Sequence, residues 1–206
     1  MNKLTKLGLI TIAGLTLAAC GQGQGASDSS ESNSATATTT KKEKSNNGIL
    51  EEVGQTSTRD GATMTLDKIT KVEDSHEIAD GVTVENVEVK VMSVDKINKD
   101  YGSMYESLGI NEGDKMIQIT YDMKNDTPYT LQNINLLTTI TSTGEQISMN
   151  DTFGDYELLS GGKTHTTGAF SKINDPEIDG VSINWDMYSE ENDYTPLETS
   201  SLDIQF

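Results

Sequence analysis

Four acidic residues near the C-terminal end have the spacing of a metal loop. Asp175, Glu177, Asp179 and Asp186 stand at positions one, three, five and twelve of a run that has Gly180 at position six. In a calcium loop, oxygen donors at such positions wrap a hard cation and the glycine permits the sharp turn. Three features oppose that reading. Pro176 stiffens the start, Glu177 is longer than the usual third ligand, and residues 181–185 alternate as a strand where the motif continues into a helix. The competing reading, an acidic turn that enters a strand, is the one the sequence favours. Ca2+ at these four residues is the one cofactor the chain offers.

Other reactive residue types are sparse. His76 and His165 are the only histidines and lie far apart in the chain. His76 stands among Asp74, Glu77 and Asp80, which would suit a proton relay or a metal, yet a lone imidazole in an acidic loop is more simply a solvated side chain. Zinc takes about four ligands, often in close pairs, and no such pair occurs. Gly162-Lys163-Thr164 matches the end of a phosphate loop, but the first glycine of that loop would fall at Glu157. The residues that follow read as a strand, where phosphate binding needs a helix N-terminus. There is no Gly-x-Ser-x-Gly elbow. A pair of carboxylates is no test of hydrolysis here, because among so many acids some pair always lies close. No catalytic residue is expected, and the chain is not read as an enzyme.

The single cysteine closes the run Leu17-Ala18-Ala19-Cys20. Lys3 and Lys6 stand ahead of it, and residues 7–17 carry no charge. A basic start, an apolar stretch and small residues at a cut make a secretory signal, and this stretch is shorter than the about 20 residues a membrane span needs. The cysteine directly after the small residues resembles a bacterial lipoprotein signal. That resemblance implies loss of residues 1–19, a diacylglyceryl group and palmitate on Cys20, and a lipid anchor at the outer face of the cell membrane. Two acyl chains hold a protein stably where one holds it only marginally. With Cys20 lipidated no thiol remains for a disulfide, so stability must come from a packed core.

Residues 21–48 change character abruptly: Gly, Gln, Ser, Thr, Asn, Ala and a few balanced charges, with no Leu, Ile, Val or aromatic. Such a segment cannot bury enough apolar surface to offset the entropy of ordering, so it reads as a disordered tether, with a root-mean-square reach of about 30 Å. The charge sits beyond it. Residues 49–206 hold 30 Asp and Glu against 10 Lys and Arg, a net of −20. This argues against nucleic acid, whose binding rests on Lys and Arg neutralising phosphates, and against flat docking on anionic lipid.

The elements that would position any site are strands. Val82 and Val84 share one phase, and Val87, Val89 and Val91 continue in the opposite one, so a bulge or bend is expected near Glu85-Asn86. Ile117, Ile119, Tyr121 and Met123 alternate with polar residues, as do Val181, Ile183 and Trp185, and Leu202, Ile204 and Phe206. These read as half-buried strands, one face on a core and one in water. Residues 63–72 and 136–141 are weaker strand candidates, rich in β-branched types. Asp80-Gly81, residues 125–128, Thr143-Gly144, Gly161-Gly162 and Asp179-Gly180 supply turns. Residues 101–108 read as a short helix in a connection. The fold class is therefore all-β, an antiparallel sandwich with one short helix, or an up-and-down barrel. Residues 49–206 suit one such domain.

Residues 80–187 resemble a telokin-like, immunoglobulin-type domain of unknown function found in surface lipoproteins of Gram-positive bacteria. The resemblance rests on Asp80-Gly81-Val82-Thr83-Val84 running into residues 87–94, and on the alternating strand at 116–125 that ends in Asn125. Thr143-Gly144, Leu158-Leu159-Ser160-Gly161-Gly162 and Gly168-Ala169-Phe170 complete it. It implies an immunoglobulin-like sandwich and an extracytoplasmic, non-catalytic role.

Trp185 is expected in the core, while Tyr101, Tyr105, Tyr156, Tyr188 and Tyr194 fall in expected loops, where a rigid sandwich presents binding aromatics. The chain thus reads as a lipid-anchored module of the cell envelope that binds a protein, peptide or wall polymer. The alternative is an acidic cation-binding or envelope-structural accessory domain. A tyrosine cluster at one end of the sandwich would favour the first reading, and a cup of carboxylates the second.

Overall fold

The protein is described from a computed structural model. It describes residues 48–206 except 60, 99, 101–104, 106, 152–153, 167, 176 and 190–195. The signal, Cys20 and nearly all of the tether lie outside the described residues.

The regular structure of the described residues is nearly all strand, and every pairing is antiparallel. One sheet is built on the long β4 (Val82–Ile97), which pairs with β2 (Ala62–Val72) on one side and β5 (Lys115–Asn125) on the other. β1 (Thr56–Arg59) extends it beyond β2, and β11 (Ala169–Ile173) extends it beyond β5. β3 (His76–Ala79) pairs with the first part of β4, and β10 (Lys163–His165) with the last part of β5. The second sheet runs β8 (Gln146–Asn150), β7 (Leu136–Thr141), β12 (Gly180–Trp185) and β14 (Leu202–Gln205).

At one side the two sheets are joined by a single residue pair, Phe170 with Asn150. At the other, β14 meets β2 only through side chains. Thr70 Oγ1 donates to the Gln205 carbonyl at 3.0 Å, and the Lys68 ammonium lies 5.6 Å from the centre of the Phe206 ring. No ladder closes that side, so the architecture is a sandwich and the barrel alternative falls.

The phase slip in β4 is where the sequence places it. Register shifts between Glu85 and Glu88, and Asn86 takes a left-handed φ of 53°, which Asn tolerates better than most residues. The extra residue switches the inward side chains from Val82 and Val84 to Val87, Val89 and Val91, all fully buried. Facing them from β5 are Ile117, Ile119, Tyr121 and Met123, and from the second sheet Leu137, Ile147, Val181, Ile183 and Ile204. Trp185 is in this core as expected. Its ring meets Tyr121 edge-on at 89°, centroids 5.5 Å apart, the geometry aromatic quadrupoles prefer. The Tyr121 hydroxyl donates to the Ile134 carbonyl at 2.6 Å, and burial pushes its pKa well above the ordinary phenol range.

The expectation that these strands keep one face in water is corrected for part of the first sheet. Leu66, Met92, Val94 and Met116 point away from the main core, yet they are buried with Leu50, Ala62, Tyr105 and Ile110 in a second cluster. The segment before β1 and the connection between β4 and β5 fold over that face, so apolar residues appear on both phases. Tyr105 is therefore core rather than loop surface. Most of the expected helix at 101–108 lies outside the described residues. Tyr105 O accepts from Leu108 N and Ile110 N, with Gly109 at φ 68°, the pattern that closes a helix.

Candidate binding surface

The four acids of the calcium-like loop do not converge. Asp175 Oδ1 accepts from Glu177 N at 2.9 Å, a local turn, and Asp179 lies 3.5 Å from Lys68 Nζ. Asp179 N donates to Ser142 Oγ, tying this turn to the β7–β8 hairpin. Asp186 sits past the far end of β12, where its Oδ2 accepts from Thr138 Oγ1 at 2.7 Å. The six residues of β12 put about 20 Å between Asp179 and Asp186, whereas calcium ligands lie about 2.3–2.6 Å from one ion. The joint assignment of Asp175, Glu177, Asp179 and Asp186 is therefore corrected: a strand intervenes where a loop would have to curl. Among the described residues no group of three or more His, Cys, Asp or Glu side chains is placed to hold a metal. Millimolar CaCl2 should accordingly raise the melting temperature no more than NaCl of matched ionic strength. A calcium-specific rise that Asp175→Asn/Asp179→Asn removes would contradict this.

His76 lies in strand β3, not in a loop, and its Nε2 is enclosed without a hydrogen-bond partner among the described residues. His165 lies beside the β4 bulge. Its Nδ1 is 2.5 Å from Asp122 Oδ1, and Asp122 also accepts from Asn86 Nδ2 at 2.7 Å. Lys163, the lysine of the phosphate-loop fragment, bonds Glu85 and lies 3.8 Å from Asp122. Next to them an open depression of about 420 Å³ is lined by Lys71, Val72, Glu73, Asn86, Glu88, Thr120 and His165. Its principal charges are matched: Glu88 holds Lys71 at 2.9 Å and Lys90 at 2.5 Å. This network braces the bulged strand.

Its electrostatics carry a testable consequence. Burial opposes the charge on Asp122 and on Glu88. Hydrogen bonds from Asn86 and His165 to the first, and from Lys90 and Lys71 to the second, outweigh it and leave both pKa values below the usual carboxylate range. A depressed folded pKa contributes stability above the unfolded value, about 4, and loses it as pH falls through the folded value. The stability gap between the native protein and Asp122→Asn should thus be present at about pH 5 and shrink below about pH 4. Urea melts at stepped pH check this, and a gap that widens in acid would contradict it.

The tyrosines gather around a third, small sheet of β13 (Tyr188–Ser189), β6 (Leu131–Gln132) and β9 (Glu157–Leu158), with Tyr188 in it and Tyr129 and Tyr156 just before β6 and β9. Leu131, Leu158 and Ser189 share register and are buried; on the opposite phase Gln132 is buried as well, while Tyr188 is half-buried and Glu157 exposed. Tyr156 and Tyr188 meet through their hydroxyls at 2.8 Å. One step along, Tyr129 is 43% exposed, Tyr156 47% and Leu159 64%. Asn125 sets this geometry from the end of β5. Its Nδ2 donates to the carbonyls of Tyr129 and Leu158, and Ser160 Oγ donates to Thr127 O. Two exposed tyrosines and an exposed leucine thus share one end of the sandwich, held by a buried amide.

Of the tyrosines singled out in the sequence, Tyr156 and Tyr188 belong to this surface, and Tyr101 and Tyr194 lie outside the described residues. Tyr129 and Leu159 were missed. Their signal is local, since each flanks a turn rich in Thr, Pro, Ser or Gly and neither continues an apolar phase. No family model matches the chain, and no curated protein matches it.

Proposed function

We propose that this chain is a lipid-anchored extracytoplasmic protein whose immunoglobulin-like sandwich is a non-catalytic binding module of the cell envelope. The observation that carries the reading is the exposure of Tyr129, Tyr156 and Leu159 in the segments that flank the small three-stranded sheet. Exposed aromatics on a fixed scaffold bring large contact area at low entropic cost, which suits recognition of a partner. The sequence at Leu17–Cys20 supports the anchor, and the composition of the tether supports a module held off the membrane. The likeness to telokin-like domains of Gram-positive surface lipoproteins agrees with both.

The test uses the whole chain expressed in a Gram-positive cell. Wild-type protein should take up labelled palmitate and fractionate with membrane, and Cys20→Ser should appear in the medium or remain unprocessed. A photo-crosslinking residue at position 156 should give discrete adducts on intact cells, whereas one at Ile140, exposed on the second sheet, should not. Failure of lipid incorporation would remove the anchor. Equal adducts from both positions would remove the binding surface.

A further inference from the structure

Charge is segregated in this domain along the fold. Arg59, Lys68, Lys71, Lys90, Lys96, Lys115, Lys124, Lys163 and Lys172 all lie on strands β1, β2, β4, β5, β10 and β11 of the first sheet. The second sheet and the small tyrosine sheet carry no Lys or Arg. The described residues within 125–162 and 173–206, which build them, hold eleven Asp and Glu. On the first sheet the lysines are largely matched, for example Lys115 to Asp67 and Lys172 to Asp114. The excess negative charge therefore lies on the half that carries Tyr129, Tyr156 and Leu159.

We infer that the exposed segments flanking the small sheet, which carry Tyr129, Tyr156 and Leu159, dock a Lys- or Arg-rich segment of a partner protein. The inference rests on the binding-module reading and names its partner's chemistry. Tyrosine faces attract ammonium and guanidinium groups within about 6 Å, and the aliphatic stems of Lys and Arg pack on apolar side chains such as Leu159. Asp155 and Glu157, both exposed, flank Tyr156 in the chain. The lysines nearest this end, Lys124 and Lys163, are already paired with Asp126 and Glu85, and the negative potential that remains draws a basic chain in and repels an acidic one. From Tyr156 just before β9 to Leu159 just after it the chain advances about 10 Å, the span of three extended residues of a partner.

The experiment is fluorescence anisotropy with the full chain in non-ionic detergent. The probe is a labelled peptide of about twelve residues alternating Lys or Arg with Ser, with its Glu counterpart as control. The basic peptide should bind saturably, and the acidic one should not. Tyr129→Ser/Leu159→Ser and Asp155→Asn/Glu157→Gln should each weaken binding about tenfold. Glu73→Gln/Asp74→Asn, exposed in the turn between β2 and β3, should change it less than about twofold. Thermal melts confirm that each variant is folded.

Absence of saturable binding, or equal weakening by both acid-neutralised variants, would overturn the inference, the latter because it reports a diffuse field. An unchanged affinity in the Tyr129/Leu159 variant would overturn it as well. Cellular adducts at position 156 with a partner segment that lacks Lys and Arg would overturn it while the binding-module reading stands. Saturable peptide binding at the patch without cellular adducts would support the inference on its chemistry and count against the cellular role.

Discussion

Ile119→Asp should leave the sandwich unable to fold at 37 °C, whereas Ile140→Asp should be tolerated. The two isoleucines undergo the same chemical change and differ in burial: Ile119 is fully enclosed between the two sheets, and Ile140 is 40% exposed on the outer face of β7. A carboxylate at 119 would face Val89 across the ladder and Ala169 on its other side, with no water to solvate it. Burying an unpaired charge costs several kcal/mol even after its pKa shifts to neutralise it. Losing the isoleucine's own packing adds about 2–5 kcal/mol. Together these match the about 5–15 kcal/mol by which a domain of this size is stable. At 140 the carboxylate stays in water, and the change should fall within about 1 kcal/mol. Circular dichroism and soluble yield read the outcome. Similar behaviour of the two variants would refute the assignment of inner and outer faces.

Trp185→Ala should cost about 3–5 kcal/mol and collapse cooperativity between the sheets. The indole is the largest fully buried side chain and belongs to β12 of the second sheet, while its partner Tyr121 belongs to β5 of the first. Its removal opens a cavity at the contact where the two layers are matched. It also releases the ring that fixes the Tyr121 hydroxyl on Ile134 O, just beyond the small sheet. Tyr121→Phe isolates the second effect. It keeps the ring but strips the Ile134 carbonyl of its donor, a loss of about 1–3 kcal/mol. Urea melts followed by near-ultraviolet dichroism give both values. A Trp185→Ala cost no larger than that of Tyr121→Phe would mean that the ring contact does not join the layers.

Much of the scaffold was legible because strand periodicity is a local property. Val87, Val89 and Val91, Ile117 to Met123, and Val181 to Trp185 each show their buried phase within one segment, and the slip at Glu85-Asn86 announces the bulge. Turn residues were equally readable, since Gly81 and Gly144 take the positive φ that glycine permits. Short elements were not. β6, β9 and β13 are two residues each, too brief for any period to emerge, and they exist because Asn125 and the neighbouring ladders hold them.

By itself, then, the sequence determined the all-β class, the strands of the main core, the burial of Trp185, the acidity, and the signal-like run ending at Cys20. Tertiary structure alone decided which residues meet. It set Asp186 at the other end of a strand from Asp179, took Tyr105 into a second core, and brought Tyr129, Tyr156, Leu159 and Tyr188 to one small sheet and the segments that flank it. It also sorted every Lys and Arg among the described residues onto one sheet of the sandwich. Periodicity reports which face a residue shows, but only the pairing of distant strands, through non-local hydrogen bonds and core packing, determines what that face lies beside.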